Sequence, residues 1–132
     1  MKKDIYTFSL SVLISLINVF LSVYFFSNNG CVKNRGVAFG IDIIYEEIIS
    51  FLILSFLIFI GTRVKGIIRY LTFGVVILGF SNFVVRVFLK YICDYINVFN
   101  MSLNIADIFI VIYALLIILI CIFDKDGKCN RG

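Results

Sequence analysis

Residues 5–26 read IYTFSLSVLISLINVFLSVYFF, 22 consecutive positions without a charge. At about 1.5 Å per helical residue, such a run crosses a hydrocarbon core of about 30 Å. The apolar region of a signal peptide is only about 7–15 residues long, and three further apolar stretches follow this one, so it reads as the first of four spans. The second stretch is uncharged only over 48–62 and is extended back to 43, which places Glu46 and Glu47 at its interfacial end. The third, 67–85, admits Arg69 because a long side chain near a helix end can reach the headgroups. The fourth, 105–123, carries Asp107 in its first turn. The expectation is an all-α membrane protein, a single integral membrane domain over 1–132 with spans at 5–26, 43–62, 67–85 and 105–123.

Composition agrees with a bilayer setting. The chain is 62% hydrophobic with a mean hydropathy of +1.10, and 15% of it is charged, against about 25% in a soluble domain. A cytosolic enzyme and a disordered tail are excluded. The chain has no His, which excludes Ser-His and Cys-His nucleophiles, the HExxH zinc motif and an imidazole switch. Chemistry would fall to carboxylates, amides, hydroxyls, thiols, Lys or Arg. The net charge of +4 forms no continuous basic patch, so no nucleic-acid partner is expected.

Four spans place both termini on one side. Lys2, Lys3, Arg63, Lys65, Arg69, Lys125, Lys128 and Arg131 then share that side, against Lys33, Arg35, Arg86 and Lys90 on the other. Eight against four puts the termini in the cytoplasm. The outer regions, 27–47 and 86–104 with the start of the fourth span, hold Asp42, Glu46, Glu47, Asp94 and Asp107, five of the eight acids.

The first outer loop contains Asn34-Arg35-Gly36-Val37-Ala38-Phe39-Gly40, whose glycines let backbone pass close to another chain; read plainly, it is a turn. Asn82 and Arg86 are four apart and share a helical face. Alone, Arg86 would anchor to phosphate headgroups. Asn104-Ile105-Ala106-Asp107 has the form of a capping box, with Asn104 as N-cap and Asp107 at the third helical position. The sharper reading pairs Asp107 with Asp94 as two carboxylates at the bilayer edge. Cys31 and Cys93 fall in outer loops. A bridge requires Cα atoms within about 7 Å, and two unpaired thiols are the expectation.

In order, Asn34-Arg35-Gly36-Val37-Ala38-Phe39, Gly79-x-x-Asn82-x-x-Val85-Arg86, Asp94 and Asn104-Ile105-Ala106-Asp107 resemble the motif blocks of the lipoprotein signal peptidases (signal peptidase II). The resemblance covers most of the chain and includes the four-span topology. It implies that Asp94 and Asp107 are a catalytic dyad and that Asn34, Gly36, Asn82, Arg86, Asn104 and Ala106 shape and support the substrate site. It also implies a small extracytoplasmic β-cradle built from the outer loops, and a place in the bacterial cytoplasmic (inner) membrane with the active site on the outer face. Two positions depart from the family pattern. Val85 stands where an Asp usually precedes the Arg, and the first span offers Asn18 and Ser22 in place of an Asp-Gln-x-x-Lys-like cluster.

The implied activity is that of a membrane aspartic endopeptidase. It removes the signal peptide of a diacylglyceryl-modified prolipoprotein on the amino side of the lipidated Cys, as a monomer that meets substrate and membrane lipid and needs no metal or cofactor. Two close carboxylates share a proton. The ionised member takes a proton from the attacking water, and the protonated member polarises the carbonyl and donates to the leaving amine. The rival expectation is non-enzymatic: a four-helix membrane-complex subunit, or a lapsed peptidase that binds lipid or signal helices.

Overall fold

The computed structural model describes residues 2–34 and 45–123, with side chains over 5–33 and 45–123. In chain order the elements are α1 (Lys2–Ser27), β1 (Val32–Asn34), α2 (Glu46–Arg63), α3 (Gly66–Leu89), β2 (Ile92–Asp94), β3 (Ile96–Val98), β4 (Met101–Leu103) and α4 (Ile105–Ile122). Ile5–Ser27 of α1, together with α3 and α4, are long and apolar enough to cross a membrane. The remaining helix, α2, has 18 residues and three charges, Glu46 and Glu47 in its first turn and Arg63 in its last.

The third helix is the centre of the molecule, packed against α1, α2 and α4. Its junction with α1 is polar. Ser11, Ser15, Asn18 and Ser22 recur at spacings of four, three and four, which lines them along one face of α1; Ser11, Asn18 and Ser22 are buried. Ser15 Oγ donates to the Ile77 carbonyl of α3 at 3.0 Å. Between helices in hydrocarbon such contacts hold the pair together, since apolar side chains gain little there by leaving lipid. Close approach is possible at Gly74, where a Cβ atom would stand 2.5 Å from the Tyr113 ring of α4 and 2.8 Å from Ser11 Oγ. Ser11 Oγ, whose proton goes to the Thr7 carbonyl at 2.8 Å, accepts from the Tyr113 hydroxyl at 3.2 Å across this gap. An apolar cluster of Ile14, Leu71, Leu78, Ala106 and Tyr113 completes the three-helix core.

Helix boundaries depart from expectation at the polar end of the bundle. The third span was expected to end at 85, but α3 continues to Leu89 and closes on Lys90 in a left-handed conformation (φ 67°). Arg86 therefore lies within the last turn of α3, where its Nη1 donates to Ser50 Oγ of α2 at 3.1 Å. Arg86 is 2% exposed, so the headgroup-anchor reading is corrected: the guanidinium is enclosed between α3 and α2. Residues 43 and 44 of the expected second span lie outside the described residues.

Beyond the helix ends lie two small antiparallel sheets. One pairs β1 with β2, Val32 opposite Asp94 and Lys33 opposite Cys93. The other is a hairpin of β3 and β4, turned by Phe99 (φ 46°) and Asn100 (φ 64°), the two left-handed positions of a type I′ turn. The expectation of two unpaired thiols is overturned: Cys31 and Cys93 form a disulfide with Cα atoms 5.1 Å apart. The register explains it. Cys31 is two residues from Lys33, the partner of Cys93, so both sulfurs lie on the same face of the ladder. Cys121, at the far end of α4, is disulfide-bonded too; thiol pairing therefore does not distinguish the two ends of the bundle.

The Cys31–Cys93 bridge closes a sequence separation of 62 residues. Replacing both by Ser should cost about 2–4 kcal/mol, read from thermal unfolding in detergent. Peptide mapping without reductant should recover Cys31 and Cys93 in one linked fragment. Separate fragments would refute the pairing.

Candidate functional site

The end of the bundle that carries the sheets also collects the buried polar residues. Asp94 ends β2, 2% exposed, and Asn104 precedes α4, fully buried. Asn104 has extended backbone (φ −115°, ψ 170°), and its side-chain oxygen accepts from the Asp107 amide at 3.1 Å, while Asp107 Oδ2 accepts from the Asn104 amide at 3.1 Å. The capping box read in the sequence is therefore formed. The backbone donor leaves Asn104 one orientation: its oxygen faces Asp107 N–H, so its Nδ2 points to Asp94 Oδ1, to which it donates at 3.3 Å. One amide side chain thus stands between the two aspartates.

A second line of amides reaches Asp107 from α1 and α3. Ser81 Oγ donates to the Leu78 carbonyl at 2.7 Å, so it must accept from Asn18 Nδ2, 3.0 Å away. That fixes the Asn18 amide, whose Nδ2 also donates to Asn82 Oδ1 at 3.0 Å. Asn82 is fixed in turn, and its Nδ2 donates to Asp107 Oδ1 at 2.9 Å. Both Asp107 oxygens are therefore held by donors from different elements, and the Arg86 charge also acts on this carboxylate. A cap alone needs only one of those contacts.

Tyr95 follows Asp94 and crosses the same space. Its hydroxyl donates to Asn18 Oδ1 at 3.0 Å and accepts from the Ile105 amide at 3.3 Å, while its ring stacks on Phe25 at 5.0 Å. Burial raises the phenol above its ordinary value; the Ile105 N–H pulls the other way, and the charges of Asp107 and Asp94 add to the rise. The phenol keeps its proton at neutral pH and remains a donor.

Of the residues expected from sequence, Asp94, Asp107, Asn82 and Asn104 meet in this network. Arg86 approaches it from the α2 side, and Ala106, fully buried, packs in the core beneath it. Asn34 is the last residue of β1 and pairs with Ile92, its side chain outside the described range, and Gly36 lies outside the described residues altogether. Asn18, Ser81 and Tyr95 were missed as site residues. Asn18 had a signal, as the one amide in the middle of a 22-residue uncharged run. Tyr95 had none, since a Tyr beside a loop Asp is ordinary. Val85 is 3% exposed, so the position where the resembling family carries an acid is enclosed and apolar. No family model matches the chain, nor does a curated protein or a solved structure.

Substitutions at Asn104 separate its two contacts. Asn104→Ala should cost about 1–3 kcal/mol from the lost cap and the lost donor to Asp94. Asn104→Asp keeps the acceptor for Asp107 N–H but turns a carboxylate oxygen toward Asp94. Two like charges there raise the folded-state carboxyl pKa, so the folded state binds more protons and stability falls as pH rises above the unfolded value of about 3.9. Thermal unfolding between pH 4 and 7 should show Asn104→Asp losing ground to wild type as pH rises. Parallel curves would refute the Asp94 contact.

Proposed function

We propose that the chain is a membrane aspartic endopeptidase of the lipoprotein signal peptidase kind, with Asp94 and Asp107 as the reacting pair. The observation that carries this reading is that both carboxylates meet at Asn104, its side chain donating to Asp94 and its backbone to Asp107, at the end of an apolar helix bundle. A helix cap explains the Asp107 contacts with Asn104 but not the burial of Asp94 or the donor from Asn82.

In this reading the ionised carboxylate removes a proton from water as the water oxygen bonds to the scissile carbonyl carbon. The protonated one donates to the carbonyl oxygen. Collapse of the tetrahedral species breaks the C–N bond: the carboxyl that took the proton from water gives it to the leaving amine, and the proton placed on the carbonyl oxygen returns to the other carboxylate, which restores the pair. The substrate is a prolipoprotein cut before its diacylglyceryl Cys, whose lipid and signal helix reach the site sideways from the bilayer. The protein acts as a monomer without metal or cofactor.

The proposed topology has four spans. At 18 residues α2 is about 27 Å long, with its acids at one end and Arg63 at the other, which suits a span charged only at its boundaries. The basic asymmetry puts both termini in the cytoplasm, so the carboxylate end, with the sheets as a cradle, faces outward from the bacterial cytoplasmic membrane. A fluorescent protein fused to the C terminus should therefore fluoresce and a fused alkaline phosphatase stay inactive; an active phosphatase would reverse the orientation.

Purified protein should cleave a lipidated prolipoprotein. Asp94→Asn, Asp107→Asn and the double variant should each lose nearly all cleavage while folded and inserted, without additivity, because the pair acts as a unit. Asp42→Asn should retain most activity. If Asp107 serves only as a cap, Asp107→Asn loses about 0.5–2 kcal/mol of stability and activity in proportion, and more than a few per cent of wild-type cleavage in either single variant would refute the pair in favour of a non-enzymatic role.

A further inference from the structure

Tyr95 has a ring that Phe could replace and a hydroxyl that Phe could not. The ring stacks on Phe25 of α1 at an interplanar angle of 11°, and that packing needs no oxygen. Each role of the hydroxyl is fixed by its partner. The Ile105 N–H can only donate, so the phenol oxygen accepts there. The Asn18 amide nitrogen is committed to Ser81 and Asn82, so only its oxygen is left, and the phenol proton goes to it. A directed chain runs from Tyr95 through Asn18 and Asn82 to Asp107 Oδ1. A second, shorter tie runs from the same oxygen to Ile105, first residue of the helix whose first turn carries Asp107. Tyr95 is also joined covalently to Asp94, the other carboxylate.

We propose that Tyr95 is a positioning residue for the carboxylate pair, its hydroxyl setting the place of Asp107 relative to Asp94 through the Ile105 amide and through Asn18. The proposal rests on the peptidase reading and adds a residue to its machinery. Tyr95 acts through other residues and does not touch the substrate. Its loss acts on the step in which the two carboxylates must be in register and leaves substrate capture intact. Displacements of about 1 Å at a reacting group cost up to about a hundredfold in rate.

Tyr95→Phe and Asn18→Leu are compared with wild type in steady-state cleavage of a lipidated prolipoprotein, together with the double variant. Tyr95→Phe should lower kcat between about tenfold and a hundredfold with KM changed less than about twofold. The double variant should lose less than the product of the two single losses, because both substitutions break the Asn18 chain while only Tyr95→Phe also breaks the Ile105 tie. Fluorotyrosine at position 95, which keeps the hydroxyl, should restore most of the rate. Wild-type kcat in Tyr95→Phe, or additive losses in the double variant, would overturn the proposal. Hydrogen exchange at the Ile105 amide gives a readout without turnover: Tyr95→Phe should speed it, and fluorotyrosine should return it to the wild-type rate. If wild type itself does not cleave, the peptidase reading fails, and unchanged exchange at Ile105 then overturns the positioning role as well.

Discussion

The Asn104 side chain accepts from the Asp107 amide through its oxygen and donates to Asp94 through its nitrogen, so a single amide group fixes both where α4 begins and where β2 ends. The backbone donor takes the amide oxygen and leaves the side chain no alternative orientation, so the nitrogen faces Asp94. The buried polar end of the molecule is organised around that constraint. Asn82 and Asn18 are oriented in the same way, each by a neighbour that can play only one role, and the result is a set of donors aimed at carboxylate oxygens. In a low-dielectric setting an unmatched amide or acid is costly, so a network in which most members have one solution selects one arrangement of the helices.

The same constraint explains the architecture of the bundle. Apolar side chains suit lipid as well as they suit one another, and they do not specify which faces meet. The polar side chains of Ser11, Ser15 and Asn18 on α1 do, because their cross-helix partners lie on α3 and at the Tyr113 hydroxyl of α4. Gly74 lets the backbones come close enough for the Ser11–Tyr113 contact. Arg86 joins α3 to α2 through Ser50. Helix association and site geometry thus depend on one set of hydrogen bonds, and substitutions in the site should be read for folding as well as for activity.

Outside the helices, the Cys31–Cys93 bridge ties the strand that ends in Asp94 to the strand that follows α1. Asp94 ends a three-residue strand of a two-stranded sheet, and its chain neighbours add to the hold of the Asn104 contact. The bridge is on the residue directly before Asp94, and Tyr95 directly after it is held by Asn18 and Ile105. Asp94 is therefore restrained on both sides by its chain neighbours, while Asp107 is restrained by its helix and by Asn82.

The helices were legible in the sequence because long uncharged runs admit little else in a bilayer, and the cap at Asn104 was legible because its partners are local, three residues apart. Asp94 and Asp107 could be singled out from ordered motif blocks, though their meeting at Asn104 could not. Taken alone, Arg86 reads as an anchor, because a terminal Arg and an enclosed one look alike until Ser50 of another helix is brought beside it; only the resemblance put it among the supporting residues. The thiols were misread because strand register, which places Cys31 on the same face as Cys93, is set by pairing between segments 62 residues apart. Asn18 joins the site through partners 63, 64 and 77 residues away in the chain. The sequence alone determined which segments are apolar and where local caps form, since both depend on neighbours within a few residues. Tertiary structure alone decided which buried amides face which carboxylates, because a hydrogen bond across elements needs a position and a direction that only packing supplies.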